Sequence, residues 1–292
     1  MSGSSPATLP PPHTWLPLLR RAIEEDLGPG DVTSALVVEP GRRGTARIEA
    51  RQPLVACGLA VAEAVFRELD AGVAFEARCR DGDRVAPGAA LAEVSGDLRA
   101  ILAAERTALN FLGRLCGVAT LTRRFVDAVA RSRARIVDTR KTLPGWRLLD
   151  KYATAVGGAA NHRAGLFDGI LLKDNHLALA GGVGPALRAA RAGAPVGLRI
   201  QVEVESEADA LAALEAGADF LLLDNRGPEE LERIVKCVGG RALLEASGGV
   251  TLENVRAVAA TGVDRISIGA LTHSAPNADV ALEIASPGGA TR

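Results

Sequence analysis

Lysine is nearly missing from this chain. Of its 34 basic residues only four are lysines, Lys141, Lys151, Lys173 and Lys236; the rest are arginine. Under such a bias a surviving lysine marks a place where a compact ammonium is preferred to a planar guanidinium. Aromatic residues are scarce at 3%, and the net charge is −1. A base-stacking platform and a general nucleic-acid or anionic-membrane surface are therefore disfavoured, and any anion binding must be local. No apolar run reaches the roughly 18 residues of a membrane span. The start, MSGSSPATLPPPHTW, lacks the basic region and apolar stretch of a signal peptide. The four cysteines, Cys57, Cys79, Cys116 and Cys237, have neither metal-ligand nor C-x-x-C spacing. They read as small buried hydrophobes in a reducing compartment, the cytoplasm. The histidines, His13, His162, His176 and His273, form no H-x-x-x-H cluster, which argues against zinc. A G-x-S-x-G elbow is also absent, so acyl-enzyme chemistry is not indicated.

What is present is apolar material, 48% of 292 residues, enough for one large domain or two modest ones. Up to about Gly117 short strands and helices mix. Thr45–Gln52, Val73–Arg80 and Ala90–Val94 alternate like strands, and Leu59–Leu69 has helical spacing. A long helix is expected from Asp97, with Gly113 and Gly117 as kinks. The turn DGDRVAPG has the look of half a lipoyl- or biotin-carrier module, but no lysine precedes Lys141, so it is structural.

From about Ala134 six strand-length apolar runs alternate with helical segments. They are Arg135–Thr139, Gly169–Lys173, Arg199–Val204, Phe220–Leu223, Ala242–Glu245 and Arg265–Ile268. Runs apolar on both faces and joined by helices imply parallel strands covered on both sides. Gly165-Leu-Phe-Asp, Gly217-Ala-Asp and Gly262-Val-Asp each lead into such a run, a repeated helix-ending glycine before a strand. Six units favour a closed or nearly closed β/α barrel. The alternative, a doubly wound sheet, lacks a G-x-G-x-x-G after its first strand.

Barrel chemistry gathers at the C-terminal ends of the strands. Those ends read Asp138-Thr139-Arg140-Lys141, Lys173-Asp174-Asn175-His176, Glu203 and Glu205, Asp224-Asn225, Glu245-Ala246-Ser247-Gly248-Gly249, and Ser267-Ile268-Gly269, with Asn161-His162-Arg163 before the second strand. Charged strand ends are often merely solvated, but six converging on one mouth are harder to dismiss. Arg140, Lys141, His162, Arg163 and Lys173 suit an anion with several carboxylates or phosphates. Glu203 and Asp224 suit sugar hydroxyls, or Mg²⁺ carrying a pyrophosphate. The glycine turns at 247–249 and 269 lie where barrels hold phosphate on backbone N–H groups.

These strings resemble the quinolinate phosphoribosyltransferase family. The matching stretches are EDLGPGDVTS (25–34), ERTALNFL (105–112), DTRKTLPGWRLLDKYA (138–153), GGAANHRAGLFDGILLKDNH (157–176), VEVE (202–205), LLLDN (221–225), EASGG (245–249) and ISIGA (266–270). The resemblance implies an α/β protein: an N-terminal α/β domain of α+β sandwich type to about residue 118, with residues 1–14 a tail, then an incomplete parallel β/α barrel. From about residue 275 the chain would return to the first domain. The implied reaction joins quinolinate to phosphoribosyl pyrophosphate with decarboxylation, giving nicotinate mononucleotide in NAD biosynthesis, with Mg²⁺ as cofactor. It also implies a homodimer, or a hexamer built from dimers, in which Arg106 reaches the partner's site.

By the same resemblance Arg140, His162, Arg163 and Lys173 would bind quinolinate. Lys141, Glu203 and Asp224 would serve phosphoribosyl pyrophosphate and Mg²⁺, and Lys141, Lys173, Glu203 and Asp224 form the expected catalytic set. Thr139, Ser247, Gly248, Gly249, Ser267 and Gly269, with His273 nearby, would complete the substrate cradle. Lys151 is expected to be structural. Rival readings are a nicotinate-specific relative, which needs fewer cations, a Schiff-base aldolase using Lys173, and a non-enzymatic binding protein.

Overall fold

The computed structural model describes residues 7–285; residues 1–6 of the expected tail lie outside that range. From Ala7 onward the chain is not a free tail. Ala7 and Leu9 pack on a hydrophobic core, and Trp15 Nε1 donates to Pro10 O at 2.9 Å. Three consecutive prolines, Pro10–Pro12, stiffen this stretch beforehand, so ordering it costs little backbone entropy.

The described chain forms two compact units. One comprises residues up to Arg123, Leu143–Gly158 and the stretch from Ser274; the other comprises Arg124–Thr142 and Ala159–His273. By packing, Leu143–Gly158 and the stretch from Ser274 thus join the first unit.

In the first unit α1 (Leu16–Leu27), α2 (Val32–Val37), β1 (Arg43–Ala50), β2 (Leu54–Val55), α3 (Leu59–Leu69), β3 (Ala74–Ala77), β4 (Arg84–Val85) and β5 (Ala90–Asp97) precede the long α4 (Leu98–Ala128). The segment Leu143–Gly158 joins this unit because its helix, α5 (Arg147–Val156), buries Leu149, Tyr152, Ala153 and Val156 in the same core. β12 (Val280–Ile284) pairs antiparallel with β1, and the sheet runs β12-β1-β5-β3, all antiparallel. The DGDRVAPG turn is structural. Asp81 accepts the backbone N–H groups of Gly58 and Leu59 and the Tyr152 hydroxyl at 2.6 Å. Cys57 and Cys116 are fully buried free thiols. Burial pushes the Cys116 thiol up to about 12 and Cys79 to about 11, which leaves little nucleophilic thiolate.

Gly113 and Gly117 do not kink α4, which runs uninterrupted. They make room for the distant 276–278 stretch that leads into β12. A Cβ at Gly117 would stand 2.0 Å from Pro276 O, and one at Gly113 would stand 3.0 Å from Ala278 O. Gly113 O also accepts the Ala278 N–H at 2.8 Å. Alanine would gain nearly 1 kcal/mol of helix propensity, but a backbone oxygen cannot step aside cheaply. Gly117→Ala is therefore expected to lower stability by about 2 kcal/mol in denaturant melts.

The second unit carries six strands: β6 (Arg135–Val137), β7 (Ile170–Leu172), β8 (Ile200–Val204), β9 (Phe220–Asp224), β10 (Leu243–Ser247) and β11 (Arg265–Ser267). Between them run α6 (Asp174–Ala180), α7 (Val183–Gly193), α8 (Glu207–Glu215), α9 (Pro228–Val238) and α10 (Val255–Ala260), with the short α11 (Ala270–His273) last. All neighbouring strands are parallel, in the order β6-β11-β10-β9-β8-β7. Counted along the chain this is first, sixth, fifth, fourth, third, second. The first strand beside the last is the mark of a barrel opened between its first and second strands; a doubly wound sheet would put the first strand inside the order. The seam is bridged locally, because Ala160 N donates to Ile136 O at 2.9 Å and Asp138 N to Ala160 O at 3.2 Å. Asn161, His162 and Arg163 leave that bridge directly and so sit in the seam.

Candidate active site

Residues from both ends of the strand order line one cavity of about 560 Å³ at the C-terminal ends of the strands. Its wall includes Thr139, Arg140 and Lys141 after β6, His162 and Arg163 from the seam, Lys173 after β7, and Asp224 at the end of β9. Ser247, Gly248 and Gly249 after β10, and Ser267, Gly269 and His273 after β11, complete it. The strand order sorts these groups into two arcs. Lys141 and the glycine turns cluster on β6, β11 and β10; His162, Arg163 and Lys173 lie at the seam and β7.

The glycine turns are built for close approach. Gly248 and Gly249 have φ of 89° and 60°, and a Cβ at Gly248 would stand 2.1 Å from Asn225 Oδ1. Asn225 has φ 53°, the one non-glycine residue with positive φ among the described residues. Its Nδ2 donates to Asp224 Oδ2 at 2.8 Å, and its N–H donates to Ser247 O at 2.8 Å. The left-handed turn after β9 therefore orients the Asp224 carboxylate. At the next turn, a Cβ at Gly269 would stand 3.0 Å from Lys141 Cδ and 3.1 Å from His273 Nε2. Thr272 Oγ1 donates to Lys141 O at 2.7 Å, fixing the backbone that carries the lysine.

At the seam, buried Asp138 accepts the His162 N–H at 2.7 Å and Asn161 Nδ2 at 2.6 Å. Arg163 spans from backbone to cavity, its Nη1 donating to Gly169 O at 2.9 Å. A Cβ at Gly169 would meet Arg163 Cβ at 3.3 Å, so glycine there leaves space for the stem. Burial, followed by repulsion from Arg140, lowers the Arg163 pKa, and Asp168 opposes the shift only in part. Two guanidinium groups held together against desolvation form a site shaped for a multiply charged anion.

Not every expected residue shares this cavity. Glu203 lines a neighbouring cleft of about 540 Å³ with Asp174, Glu205 and Asp209, although its carboxyl feels both Lys173 and Asp224. Arg106 is exposed on α4 in the first unit and is not among the residues lining the barrel cavity. Lys151 is buried on α5, whereas Lys236 is exposed and pairs with Glu232. Of the four lysines, Lys141 and Lys173 are the pair that lines the cavity. No sequence signal gives a role to Asn225 or Gln201, and in sequence Glu245 has the look of a strand end. In fact Glu245 is wholly buried inside the barrel.

The Glu203 carboxyl is held above the usual carboxylate range, first by burial, then by repulsion from Asp224, Asp174 and Glu205, with Lys173 opposing. A raised folded-state pKa favours folding at low pH, and that contribution is lost as pH rises through the folded value. Glu203→Gln is thus expected to match the parent near pH 4 and to exceed its melting temperature increasingly toward neutral pH. An equal difference at all pH values would contradict this.

The family comparisons agree with this geometry. Residues 31–116 match the quinolinate phosphoribosyl transferase N-terminal domain, and residues 118–283 match the C-terminal domain of the same family. Nicotinate-nucleotide pyrophosphorylase [carboxylating] of Mycobacterium leprae is 44% identical over 272 residues, covering 91% of this chain and 95% of that protein. The protein from Bacillus subtilis described as probable nicotinate-nucleotide pyrophosphorylase [carboxylating] is 40% identical over 268 residues, 91% of this chain and 92% of its own. The solved structure of the Francisella tularensis nicotinate-nucleotide pyrophosphorylase superposes with a TM-score of 0.91 at 35% identity, covering 97% of this chain and all of that one. With both family domains matched in order across an incomplete barrel whose mouth carries these cations, the chain belongs to the quinolinate phosphoribosyltransferase family.

Proposed function

We propose that the barrel cavity transfers the phosphoribosyl group of phosphoribosyl pyrophosphate to quinolinate and releases CO₂, giving nicotinate mononucleotide and pyrophosphate for NAD biosynthesis. The observation that carries this is the sorting of one cavity into two cationic arcs. Arg140, His162, Arg163 and Lys173 are suited to the two quinolinate carboxylates, and Lys141 with the 247–249 and 269 turns to phosphate. Taking a dicarboxylate out of water costs many kcal/mol unless each charge is met, and paired arginines meet it. A monocarboxylate such as nicotinate would leave part of the Arg140–Arg163 repulsion unrelieved.

Within this site the pyridine nitrogen attacks the anomeric carbon as pyrophosphate leaves. Charge then develops on the ribose, where Asp224, oriented by Asn225, offers electrostatic stabilisation. Lys141, held by Thr272, meets the phosphates. No protein nucleophile is required, so sequential kinetics are expected. Loss of the carboxylate beside the ring nitrogen as CO₂ leaves an electron pair on that carbon, which the positive charge created by the first step stabilises and a proton from solvent then quenches.

Mg²⁺ fits as a cofactor shared with substrate. The described residues contain no cluster of three or more His, Cys, Asp or Glu that could cage an ion. Asp224 and Glu203 nevertheless repel each other as neighbouring carboxylates do. Two carboxylates suit an ion that keeps waters and takes its remaining ligands from pyrophosphate. Bound there, Mg²⁺ would neutralise the leaving pyrophosphate.

The same reading includes a homodimer, or a larger assembly of dimers, in which Arg106 serves a partner's cavity. Exposed apolar side chains support self-association, among them Leu36 on α2 at 79% and Phe167 near Arg163 at 79%. Four free thiols are compatible with the cytoplasm. The deciding assay measures pyrophosphate and CO₂ released from quinolinate, phosphoribosyl pyrophosphate and Mg²⁺. Turnover with nicotinate but not quinolinate would refute the substrate.

A further inference from the structure

Glu245, itself among the residues lining the cavity, belongs to a polar arrangement around His162 to which the roles above assign it no task. Glu245 is wholly buried, its side chain 1% exposed, and neither carboxylate oxygen has a hydrogen bond among the described residues. Its surroundings are nonetheless specific. Oε1 lies 3.4 Å from His162 Nε2, and Oε2 lies 3.8 Å from Arg265 Nη1. Arg265 in turn stacks over the Phe220 ring, 5.4 Å from its centroid, which fixes the far end of the chain of contacts. Buried Gln201 brings its Oε1 to 3.1 Å from the same His162 Nε2.

The other side of the imidazole is also committed. The Arg163 backbone N–H donates to His162 Nδ1 at 2.8 Å, which requires a lone pair on Nδ1. Nε2 faces two acceptor oxygens, so it must carry the proton. An Nδ1–H tautomer would set two hydrogens against each other on one side and leave three lone-pair-bearing atoms together on the other. Asp138 meanwhile holds the His162 backbone N–H. Backbone, tautomer and ring plane are thereby set by four separate partners.

We propose that Glu245 and Gln201 are positioning residues that hold His162 as its Nε2–H tautomer, so that a fixed imidazole forms part of the quinolinate wall beside Arg163. A buried carboxylate orienting a histidine in this way is a general device: it fixes ring plane and tautomer without itself exchanging a proton. Strand alternation makes it possible. On β10, Glu245 and Ser247 face the barrel interior while Leu244 and Ala246 are buried on the opposite face, so one strand supplies both the anchor and the start of a glycine turn. The clause concerning quinolinate rests on the proposed reaction; the tautomer does not.

Two measurements separate these. Long-range ¹⁵N–¹H spectra of histidine-labelled wild-type protein, with four histidines to assign, should give His162 the Nε2–H pattern in the absence of substrate. An Nδ1–H pattern, or averaging between tautomers, would overturn the proposal whatever the enzyme's activity. In Glu245→Gln the pattern should be lost or averaged. The KM for quinolinate should then rise about tenfold, the scale seen when the partner of a functional histidine is altered, while the KM for phosphoribosyl pyrophosphate changes less than about twofold. Equal rises in both KM values, or an unchanged quinolinate KM, would overturn it. Should Glu245→Gln fail to fold, Gln201→Leu carries the same kinetic test and the wild-type spectrum still decides the tautomer. Wild-type protein that releases no pyrophosphate would defeat the reaction reading and leave the tautomer result standing.

Discussion

Arg163→Ala should lower kcat/KM for quinolinate by roughly 30- to 4,000-fold, since truncating one partner of a desolvated charge pair costs about 2–5 kcal/mol at 1.4 kcal/mol per decade. The size follows from how the side chain is held. Its stem lies in the space left by Gly169, one nitrogen is fixed to the Gly169 carbonyl, and the residue lines the cavity. Burial and Arg140 both work against its charge in the absence of ligand. A dicarboxylate placed between the two guanidinium groups would relieve that repulsion. Arg163→Lys should recover only part of the loss, because an ammonium cannot make two parallel bonds to one carboxylate. The KM for phosphoribosyl pyrophosphate should stay within about threefold, because Lys141 and the 247–249 turn are untouched. An unchanged kcat/KM for quinolinate in Arg163→Ala would remove Arg163 from the site.

Much of this arrangement could be read from sequence because barrel chemistry is written at strand ends. Lys141, Lys173, Arg140 and Asp224 each follow or close an apolar run, and short runs joined by helices leave few alternatives for their direction. His162 and Arg163 were legible as residues but not in their placement. They lie in the seam because Ala160 pairs with β6, a bridge too short to leave a periodic signal. Glu245 and Gln201 were hidden by the same apolar runs that revealed the strands. A single polar side chain facing a barrel interior looks, in sequence, like a solvated strand end. Gly113 and Gly117 misled for another reason. Glycine within a helix is ambiguous between flexibility and close approach, and the partner that decides, the 276–278 stretch, is far away along the chain. The expected tail misled through composition, since proline-rich sequence can pack as well as wander. The sharing of Leu143–Gly158 with the first unit follows from the buried face of α5, which no local pattern near residue 118 announces.

Arg114→Leu is expected to destabilise the first unit by about 3–5 kcal/mol, the cost of stranding a buried charge. Asp150 is wholly buried on α5, and Arg114 on α4 is nearly so. Arg114 Nη2 donates to both carboxylate oxygens, at 3.0 and 3.1 Å, and Nε adds a third contact at 3.2 Å. Asp150 also accepts the Leu143 N–H at 3.4 Å, so the carboxylate gathers the start of the 143–158 segment as well as α4. Once leucine replaces the guanidinium, the charge retains its desolvation cost and loses a partner that makes three contacts with it. Neutralising the carboxylate removes that charge, so Arg114→Leu/Asp150→Asn should be more stable than the sum of the two single variants implies. A double-mutant cycle in urea should give a coupling of at least about 2 kcal/mol. Additive effects would mean that the pair contributes no more than an exposed ion pair, about 0–1 kcal/mol. The size of the coupling therefore decides whether α5 is held by this pair or by its apolar face alone. The geometry favours the pair, because three short contacts converge on one buried carboxylate.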